Sequence, residues 1–323
     1  MTKLAQSLIT LAAAFAFAIA APVAAQDYPS KPIRLVVGFP PGGNVDLVAR
    51  LVAIKMSENI KQQVVVDNRA GAGSAIANGL VAKAPADGYT LLLVSGAFVT
   101  LPAVTKKLAY DSVKDFDWVS TIVTYPIVIT VGAGSRFKSL EDVLGYAKAN
   151  PGKLNYPSPG VGTFFHLAGE YLQSLAGVEM THVPFRGGGE PITETIAGRM
   201  DVMFDAAPST FPHVQAGKLR PLAVSSTVTS AAYPNVPLVS RTVPGFEAVS
   251  FSGIAAPAGT PPAIIERLNR EVARAIEAPE VRGRLADGGG EPRAGTPVEM
   301  GRMVEAEIAK WKRVVEVRKI EVQ

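Results

Sequence analysis

Cysteine is absent from the 323 residues of this chain. Disulfide bonds, thiolate catalysis, cysteine-ligated zinc and a lipid anchor on an N-terminal cysteine are therefore excluded. Histidine is scarce, with three residues in all. His166 and Glu170 are the one histidine–acid pair at helical i, i+4 spacing, and no third ligand accompanies them. We therefore expect neither a bound metal nor a cofactor, and interpret this histidine first as a structural residue.

The short motifs of common enzyme classes are also missing. There is no Gly-x-Ser-x-Gly nucleophile elbow, and Pro41–Gly43 lacks the lysine of a phosphate-binding loop. The turns at 71–73 and 160–162 begin like dinucleotide fingerprints, but Ile76 and Phe165 stand where a third glycine or alanine belongs. Nucleotide binding is therefore not expected.

Charge of either sign is not concentrated anywhere. The chain has 32 Lys+Arg against 28 Asp+Glu, a formal net charge of +4. The densest basic cluster, Lys310, Lys312 and Arg313, falls on a predicted terminal helix, where it is typical of a solvated face. We expect no nucleic-acid partner and a monomeric protein.

A secretory signal peptide is predicted over residues 1–25. Lys3 precedes an apolar run that ends near Ala21, short of the ~20 residues that a membrane span requires. Small residues precede Gln26, as a signal peptidase needs. We expect cleavage after Ala25 and a soluble protein in the periplasm.

Short apolar runs alternate with helical segments along the rest of the chain. Ile33–Phe39 leads to a helical stripe over Val45–Asn59, and the order repeats through Val64–Val66, Ala75–Lys83 and Thr90–Val94. This order predicts an α/β fold with a parallel sheet covered by helices.

The length of the chain favours two domains. A second alternating block follows the polar connector Lys106–Trp118, and the last seventy residues are helical in character. We assign residues 26–125 and 250–323 to a discontinuous lobe I and residues 126–249 to lobe II. Two crossovers between the lobes would act as the hinge.

Four glycine-rich turns each follow an apolar run and open into a helical segment. They are Pro40–Asn44, Gly71–Ser74, Ser158–Thr163 and Arg186–Gly189. The start of a helix leaves about four N–H groups unpaired and carries roughly half a positive charge. Two converging turns could therefore bind one carboxylate without lysine or arginine. The pattern predicts a receptor for a small organic anion.

The polar side chains near these turns have alternative roles. Hydroxyl groups at Ser74, Ser158 and Thr163 could cap helices, bind a ligand, or do both. The other three residues are Asp46, Arg186 and Asp205. The first could simply complement a helix dipole, the second could hold a carboxylate or point into solvent, and the third could receive an amine or cap a turn.

A set of motifs runs in order from about Tyr28 to the last helix. It includes Phe39-Pro40-Pro41-Gly42-Gly43 with Asp46, Val66-Asp67-Asn68-Arg69-Ala70-Gly71-Ala72-Gly73, Ala86-Asp87-Gly88-Tyr89-Thr90-Leu91, His166-Leu167-Ala168-Gly169-Glu170, His182-Val183-Pro184-Phe185-Arg186-Gly187 and Lys310-Trp311. These motifs resemble the tripartite tricarboxylate transporter solute receptors, the Bug family of periplasmic binding proteins. Gly38, where the family often has proline, and Val45, which replaces the usual threonine, depart from the pattern.

The resemblance implies a type II periplasmic-binding-protein fold with two lobes, each a mostly parallel sheet flanked by helices, that close on a ligand. In such receptors backbone N–H groups and ordered waters in glycine-rich loops of both lobes hold a carboxylate. The matching motifs transfer a ligand-binding role to Phe39, Gly42, Gly43, Asp46, Gly73, Ser74, Ser158, Gly160, Gly162, Thr163, His166, Phe185, Arg186 and Gly187. Ser95 and Gly96 join this set because they follow a strand, as does Asp205.

The expected function is an extracytoplasmic receptor that captures a small mono- or dicarboxylate and delivers it to the permease subunits of a tripartite tricarboxylate-type transporter. A sensory receptor beside a two-component kinase is an alternative binding role. A periplasmic hydrolase or isomerase that uses a hydroxyl such as that of Ser95 is the alternative of another class.

Overall fold

The computed structural model describes residues 28–185, 189–226 and 229–322, so the predicted signal peptide lies outside the described residues. The strands are β1 (Ile33–Val37), β2 (Val64–Asn68), β3 (Thr90–Ser95), β4 (Phe116–Gly132), β5 (Asn155–Ser158), β6 (Thr181–Pro184), β7 (Met203–Ala206), β8 (Leu219–Val224), β9 (Val249–Pro257) and β10 (Glu291–Pro292). The helices are α1 (Asn44–Ile60), α2 (Ala75–Ala82), α3 (Gly96–Val104), α4 (Leu140–Ala149), α5 (Phe164–Ala176), α6 (Gly189–Ile196), α7 (Ala207–Gln215), α8 (Val239–Thr242), α9 (Pro262–Glu277), α10 (Pro279–Asp287) and α11 (Pro297–Val317).

The sheet of lobe I has the order β10-β4-β9-β3-β1-β2. β1 pairs in parallel with β2 and β3, whereas β9 pairs antiparallel with β3 and β4. Ile33, Leu35, Val36 and Val37 of β1 are all 0% exposed. A strand that is apolar on both faces suits a sheet covered by helices on both sides.

Strand β4 connects the two lobes. Its residues 116–126 pair with β9, and residues 127–132 pair antiparallel with β7 and β8 of lobe II. β5 and β6 form a separate parallel pair in that lobe. The predicted α/β class and the two-lobed architecture are confirmed.

The hydroxyl group of Ser225 links chain segments that cross between the lobes, at the point where β4 passes from lobe I to lobe II. Ser225 Oγ accepts a hydrogen bond from Ile127 N–H at 2.8 Å and donates to Ala248 O at 2.5 Å. Ser225 is buried, so this link is shielded from water.

Helix α11 packs on both lobes. Met300 lies against Gly253 of β9, whereas the rings of Trp311 and Phe164 of α5 are 5.0 Å apart. Beyond the helix, Arg318 Nε donates to Glu170 Oε2 at 2.7 Å. Assigning all of residues 250–323 to lobe I therefore stays a prediction, with the last turns in contact with lobe II. None of the described helices is both long enough and apolar enough to cross a membrane.

Candidate ligand site between the lobes

The turn that follows β1 is held in place by the side chain of Asp46. Its Oδ2 accepts from Gly42 N–H and from Arg50 Nε, both at 2.9 Å, and its Oδ1 accepts from Asn68 Nδ2 at 2.9 Å. Asn68 also donates to Phe39 O at 3.0 Å. The Arg50 hydrogen bond, supported by those from Gly42 and Asn68, lowers the pKa of Asp46 to about 2. Asp46 is thus a charged brace for the turn and is 3% exposed.

The start of α1 retains unpaired amides. No side chain caps this helix, and its first backbone bond runs from Leu47 N–H to Gly43 O. The amides of residues 44–46 therefore have no partner among the described residues. A Cβ at Gly43 would meet only Pro40 O, 4.0 Å away, so the backbone there is open to approach.

The Gly71–Ser74 turn packs against the end of β1. Ser74 is 5% exposed and occupies the space that a side chain at Gly38 would need. This packing gives a physical reason for glycine at position 38. Gly73 has φ +62 and lies against Leu101 of α3, with its hypothetical Cβ 3.4 Å from Leu101 Cδ2.

The two lobes meet at the first turns of α3 and α5. A Cβ on Gly96 would lie 2.7 Å from Ser250 Oγ and 3.2 Å from the ring of Phe164. Ser95 precedes α3 without capping it through its side chain. Among the described residues, no histidine or carboxylate is hydrogen-bonded to Ser95, so the arrangement of a serine nucleophile is not seen there.

The lobe II turn is held by neutral acceptors. Gly160 N–H donates to Ser158 Oγ at 3.1 Å, and Gly162 N–H donates to His166 Nδ1 at 3.1 Å. Thr163 Oγ1 donates to Gly160 O at 2.8 Å and accepts from His166 N–H. The first backbone bond of α5 runs from Leu167 N–H to Thr163 O. The amides of Phe164 and Phe165 are therefore unpaired among the described residues.

Two stacked histidines contact the lobe II turn. The rings of His166 and His182 stack with their centroids 3.8 Å apart, and His182 Nε2 lies 2.7 Å from Ser158 Oγ. Because His166 Nδ1 accepts a hydrogen bond, its proton lies on Nε2. Burial lowers the pKa of His166 to about 4; burial and the neighbouring His166 lower that of His182 to about 3. Both rings are neutral near pH 7.

Glu170 accepts hydrogen bonds from residues that surround the two histidines. Its Oε1 accepts from Tyr156 OH at 2.5 Å and from Gln173 Nε2 at 3.1 Å, and its Oε2 accepts from Arg318. His166 Nε2 is 3.9 Å from the same carboxylate. Burial and the adjacent Glu170 carboxylate raise the pKa of Tyr156, so the phenol remains a donor.

The remaining predicted residues differ in their placement. Phe185 N–H donates to Ser158 O at 2.8 Å, which fixes the end of β6 beside the lobe II turn. Arg186 and Gly187 lie outside the described residues. Asp205 is 4% exposed; its Oδ1 accepts from Ala206 N–H at 2.7 Å. Burial raises its pKa to about 7, against hydrogen bonds from Ala206 and Ser209.

The structure therefore brings most of the predicted residues together along α3. Four turns form a connected series, at residues 39–46, 71–74, 95–96 and 158–163. The contacts that connect them are Gly38 with Ser74, Gly73 with Leu101, Gly96 with Phe164 and Gly162 with Val104. Among the described residues, Asp205 makes local hydrogen bonds with Ala206 and Ser209, which suit the capping alternative, and its ligand role stays a prediction. The amides of Gly42, Gly160 and Gly162 are engaged within the protein, so the available amides are those of the adjacent helix starts. Direct ligand contact by each residue stays a prediction.

Several residues of the site were not among those predicted. They are Asn44, Arg50, Asn68, Tyr125, His182 and Ser250. Asn68 ends β2, next to β1 in the sheet, so its position at a strand end is a signal that could have found it. His182 lies in a quoted motif. Asn44 and Tyr125 interact across the fold, and no sequence pattern indicates this pair. Burial raises the pKa of Tyr125 to about 12, and the hydrogen bond with Asn44 opposes that increase.

Comparison with known proteins gives consistent results. The family model described as tripartite tricarboxylate transporter family receptor matches residues 48–320. A protein from the tcbD–tcbE intergenic region of a Pseudomonas species is 42% identical over 290 residues, 89% of this chain and 86% of that protein. Protein BugT of Bordetella pertussis is 34% identical over 300 residues, 92% of each chain.

Solved structures share the fold at similar identity. A Rhodopseudomonas palustris protein with adipate has a TM-score of 0.80 and 34% identity, over 91% of this chain and 99% of that chain. MatC from R. palustris with bound malate has a TM-score of 0.77 and 31% identity, over 89% of this chain and all of that chain, 100%.

Proposed function

We propose a carboxylate-binding function on one premise: the chain belongs to the tripartite tricarboxylate transporter receptor family, whose members are receptors rather than enzymes. The ligand is a small organic carboxylate, and it binds between the two lobes. The convergence of the α3 and α5 starts at the Gly96–Phe164 contact is the observation that carries this proposal.

The physical support comes from the helix starts. Unpaired N–H groups in a first helical turn attract a negative charge, and the aligned peptide dipoles add to that attraction. The starts of α3 and α5 belong to different lobes and face one ligand-sized region, so a carboxylate could join them. We place the unpaired amides at the start of α1 in the same site, since the turn before α1 follows Gly38, which packs against Ser74. Adipate and malate in the two similar structures are ligands of this chemical class.

The lobes, with the boundaries proposed from the sequence, close on the ligand by rigid-body rotation about β4 and the Ser225 crossover. The loaded receptor delivers its ligand to the permease subunits of a tripartite tricarboxylate-type transporter. We place the mature protein in the periplasm, after removal of residues 1–25.

Thermal unfolding with matched ligand pairs tests the proposal. Each carboxylate is compared with its own amide or methyl ester. A ligand at a hundred times its Kd stabilises the folded state by roughly 2.7 kcal/mol, which shifts Tm by several degrees in a protein of this size. The acid should give the shift, and the neutral partner should not.

Gly43→Val provides the matched variant. Gly43 has φ −81 and open space around its hypothetical Cβ, so valine should fit the fold but block approach to the start of α1. Gly134→Val, in a turn after β4 that also has open space, is the control. We expect Gly43→Val to lose the ligand shift and Gly134→Val to keep it. Equal shifts with acids and neutral partners would contradict the proposal.

A further inference from the structure

A cavity of about 410 Å³ lies between the lobes beside α3. Its volume falls within the ~300–1,000 Å³ range of small-molecule sites. It is lined by Ala72, Gly73, Ala75, Ala97, Thr100, Leu101, Val104, Thr105, Val161, Gly162 and Thr163.

One wall is a single face of α3. Ala97, Leu101 and Val104 follow helical spacing, and their side chains present methyl groups to the cavity. Leu101 and Val104 remain partly exposed. The facing walls come from the Gly71–Ser74 turn of lobe I and the lobe II turn.

Among the described residues, no charged side chain lines this cavity. Among its hydroxyl groups, Thr163 donates to Gly160 O and Thr100 donates to Ala97 O. A second carboxylate placed here would lose its water without gaining a cationic partner from the described residues, and an unpaired buried charge is costly. The chemistry of the walls suits hydrocarbon.

Three helix starts border the same cavity. Ala75 is the first residue of α2, Ala97 is the second residue of α3, and Thr163 caps α5. Ala75 N–H already donates to Ala72 O, so a carboxylate at this rim can meet the unpaired amides of the α3 and α5 starts while the rest of its molecule extends between the methyl groups. The polar and apolar parts of the cavity are therefore arranged for a ligand with one charged end.

We propose that this cavity receives the apolar body of a monocarboxylate, and that it selects such acids over dicarboxylates. This inference rests on the proposed carboxylate function. To that function it adds the class of ligand, a monocarboxylate with an apolar body, which the side chains of α3 would select.

Titration calorimetry of the purified protein with acetate, butyrate, hexanoate, benzoate, malate and adipate tests it. Each buried methylene is worth about 0.8 kcal/mol, which corresponds to about a fourfold decrease in Kd per methylene until the cavity is full. We expect hexanoate or benzoate to bind most tightly and malate most weakly.

Leu101→Lys places a cation in the apolar wall. We expect it to weaken hexanoate binding at least tenfold and to strengthen adipate binding. Leu175→Lys changes a leucine of α5 that is 42% exposed and does not line the cavity, so it should leave both affinities unchanged. Thr105→Lys, at the partly exposed end of α3, is the second variant if Leu101→Lys fails to fold.

Tight malate or adipate binding by the unaltered protein, with no dependence of monocarboxylate affinity on chain length, would overturn the inference and leave the carboxylate function standing. Binding of no carboxylate, or equal binding of acids and their amides, would instead overturn the proposed function itself. A preference for longer monocarboxylates that reverses in Leu101→Lys would support both.

Discussion

The turns after β1 and β5 are each held by one side chain, but the two side chains differ in charge. In each, a side chain from the following helix accepts the amide of a turn glycine: Asp46 holds Gly42, and His166 holds Gly162. The lobe I brace is a carboxylate paired with Arg50. The lobe II brace is the neutral imidazole of His166, which stacks on His182, the residue hydrogen-bonded to Ser158. The amide of a turn glycine can thus be fixed with or without a charged acceptor, while the amides that follow stay unpaired among the described residues.

The difference has an electrostatic consequence. Asp46 places a negative charge near the start of α1, where it offsets part of the positive end of that helix, although Arg50 compensates it. The α5 start has no charged brace in its first turn. We therefore expect lobe II to supply more of the attraction for an anion, and the two turns to lose their support at different pH.

The largest expected effect concerns Glu170, which supports the residues under the lobe II turn. Glu170→Ala removes the 2.5 Å acceptor of Tyr156 OH and the 2.7 Å acceptor of Arg318 Nε, and leaves the phenol with His166 O at 3.5 Å. Removing one partner of a buried pair costs about 3–5 kcal/mol, and we expect about 3 because Arg318 keeps Glu179. Urea unfolding measures the loss. Glu58→Ala, in an exposed pair with Lys55, should cost less than about 1 kcal/mol; equal losses would contradict this ranking.

The pH dependence of stability separates the two braces. The folded pKa of His166 is lowered from 6.5 to about 4, so the unfolded state binds the proton more readily. The resulting stability is fully present above pH 6.5 and is lost as the pH falls towards 4, by up to about 3 kcal/mol. Asp46, with its pKa lowered from 3.8 to about 2, contributes stability above pH 4 and loses it between pH 4 and 2.

Urea unfolding at pH 7.5, 6, 5, 4, 3 and 2 checks this separation. His166→Gln should reduce the decline between pH 6.5 and 4 and leave the part that belongs to His182, whose pKa is lowered to about 3. An unchanged slope in that variant would show that other groups cause the decline.

The sequence indicates the turns better than it indicates what holds them. Glycine after an apolar run marks the ends of β1 and β5, because the alternating pattern and the turn chemistry are local. His182, in contrast, reaches Ser158 from another strand, 24 positions away, and Asn68 reaches Asp46 across 22 positions. Such pairs depend on strand order. Helices α3 and α7 were not predicted, since each starts directly at the end of a strand without a glycine-rich turn.

Removing the charged brace should have the next largest effect. Asp46→Ala leaves Gly42 N–H without an acceptor, leaves Asn68 Nδ2 with Phe39 O alone, and removes the ion pair of Arg50. We expect a loss of about 2 kcal/mol, since hydrogen bonds to charged groups contribute about 1.5–3 kcal/mol. Asp46→Asn is the control: it retains a carbonyl oxygen for Gly42 and should lose less. A larger loss in Asp46→Asn than in Asp46→Ala would contradict bracing through hydrogen bonds.

The smallest effect concerns the caps of the two helices. Thr163 caps α5 through its side chain, whereas Gly43 gives α1 no side-chain cap. Replacing a capping threonine by alanine costs about 1 kcal/mol, so Thr163→Ala should be destabilised by that amount and Thr163→Ser should not. Conversely, Gly43→Ser should gain a few tenths of a kcal/mol by supplying the missing acceptor. If Gly43→Ser is stabilised but loses carboxylate binding, the uncapped start of α1 serves the ligand rather than the fold.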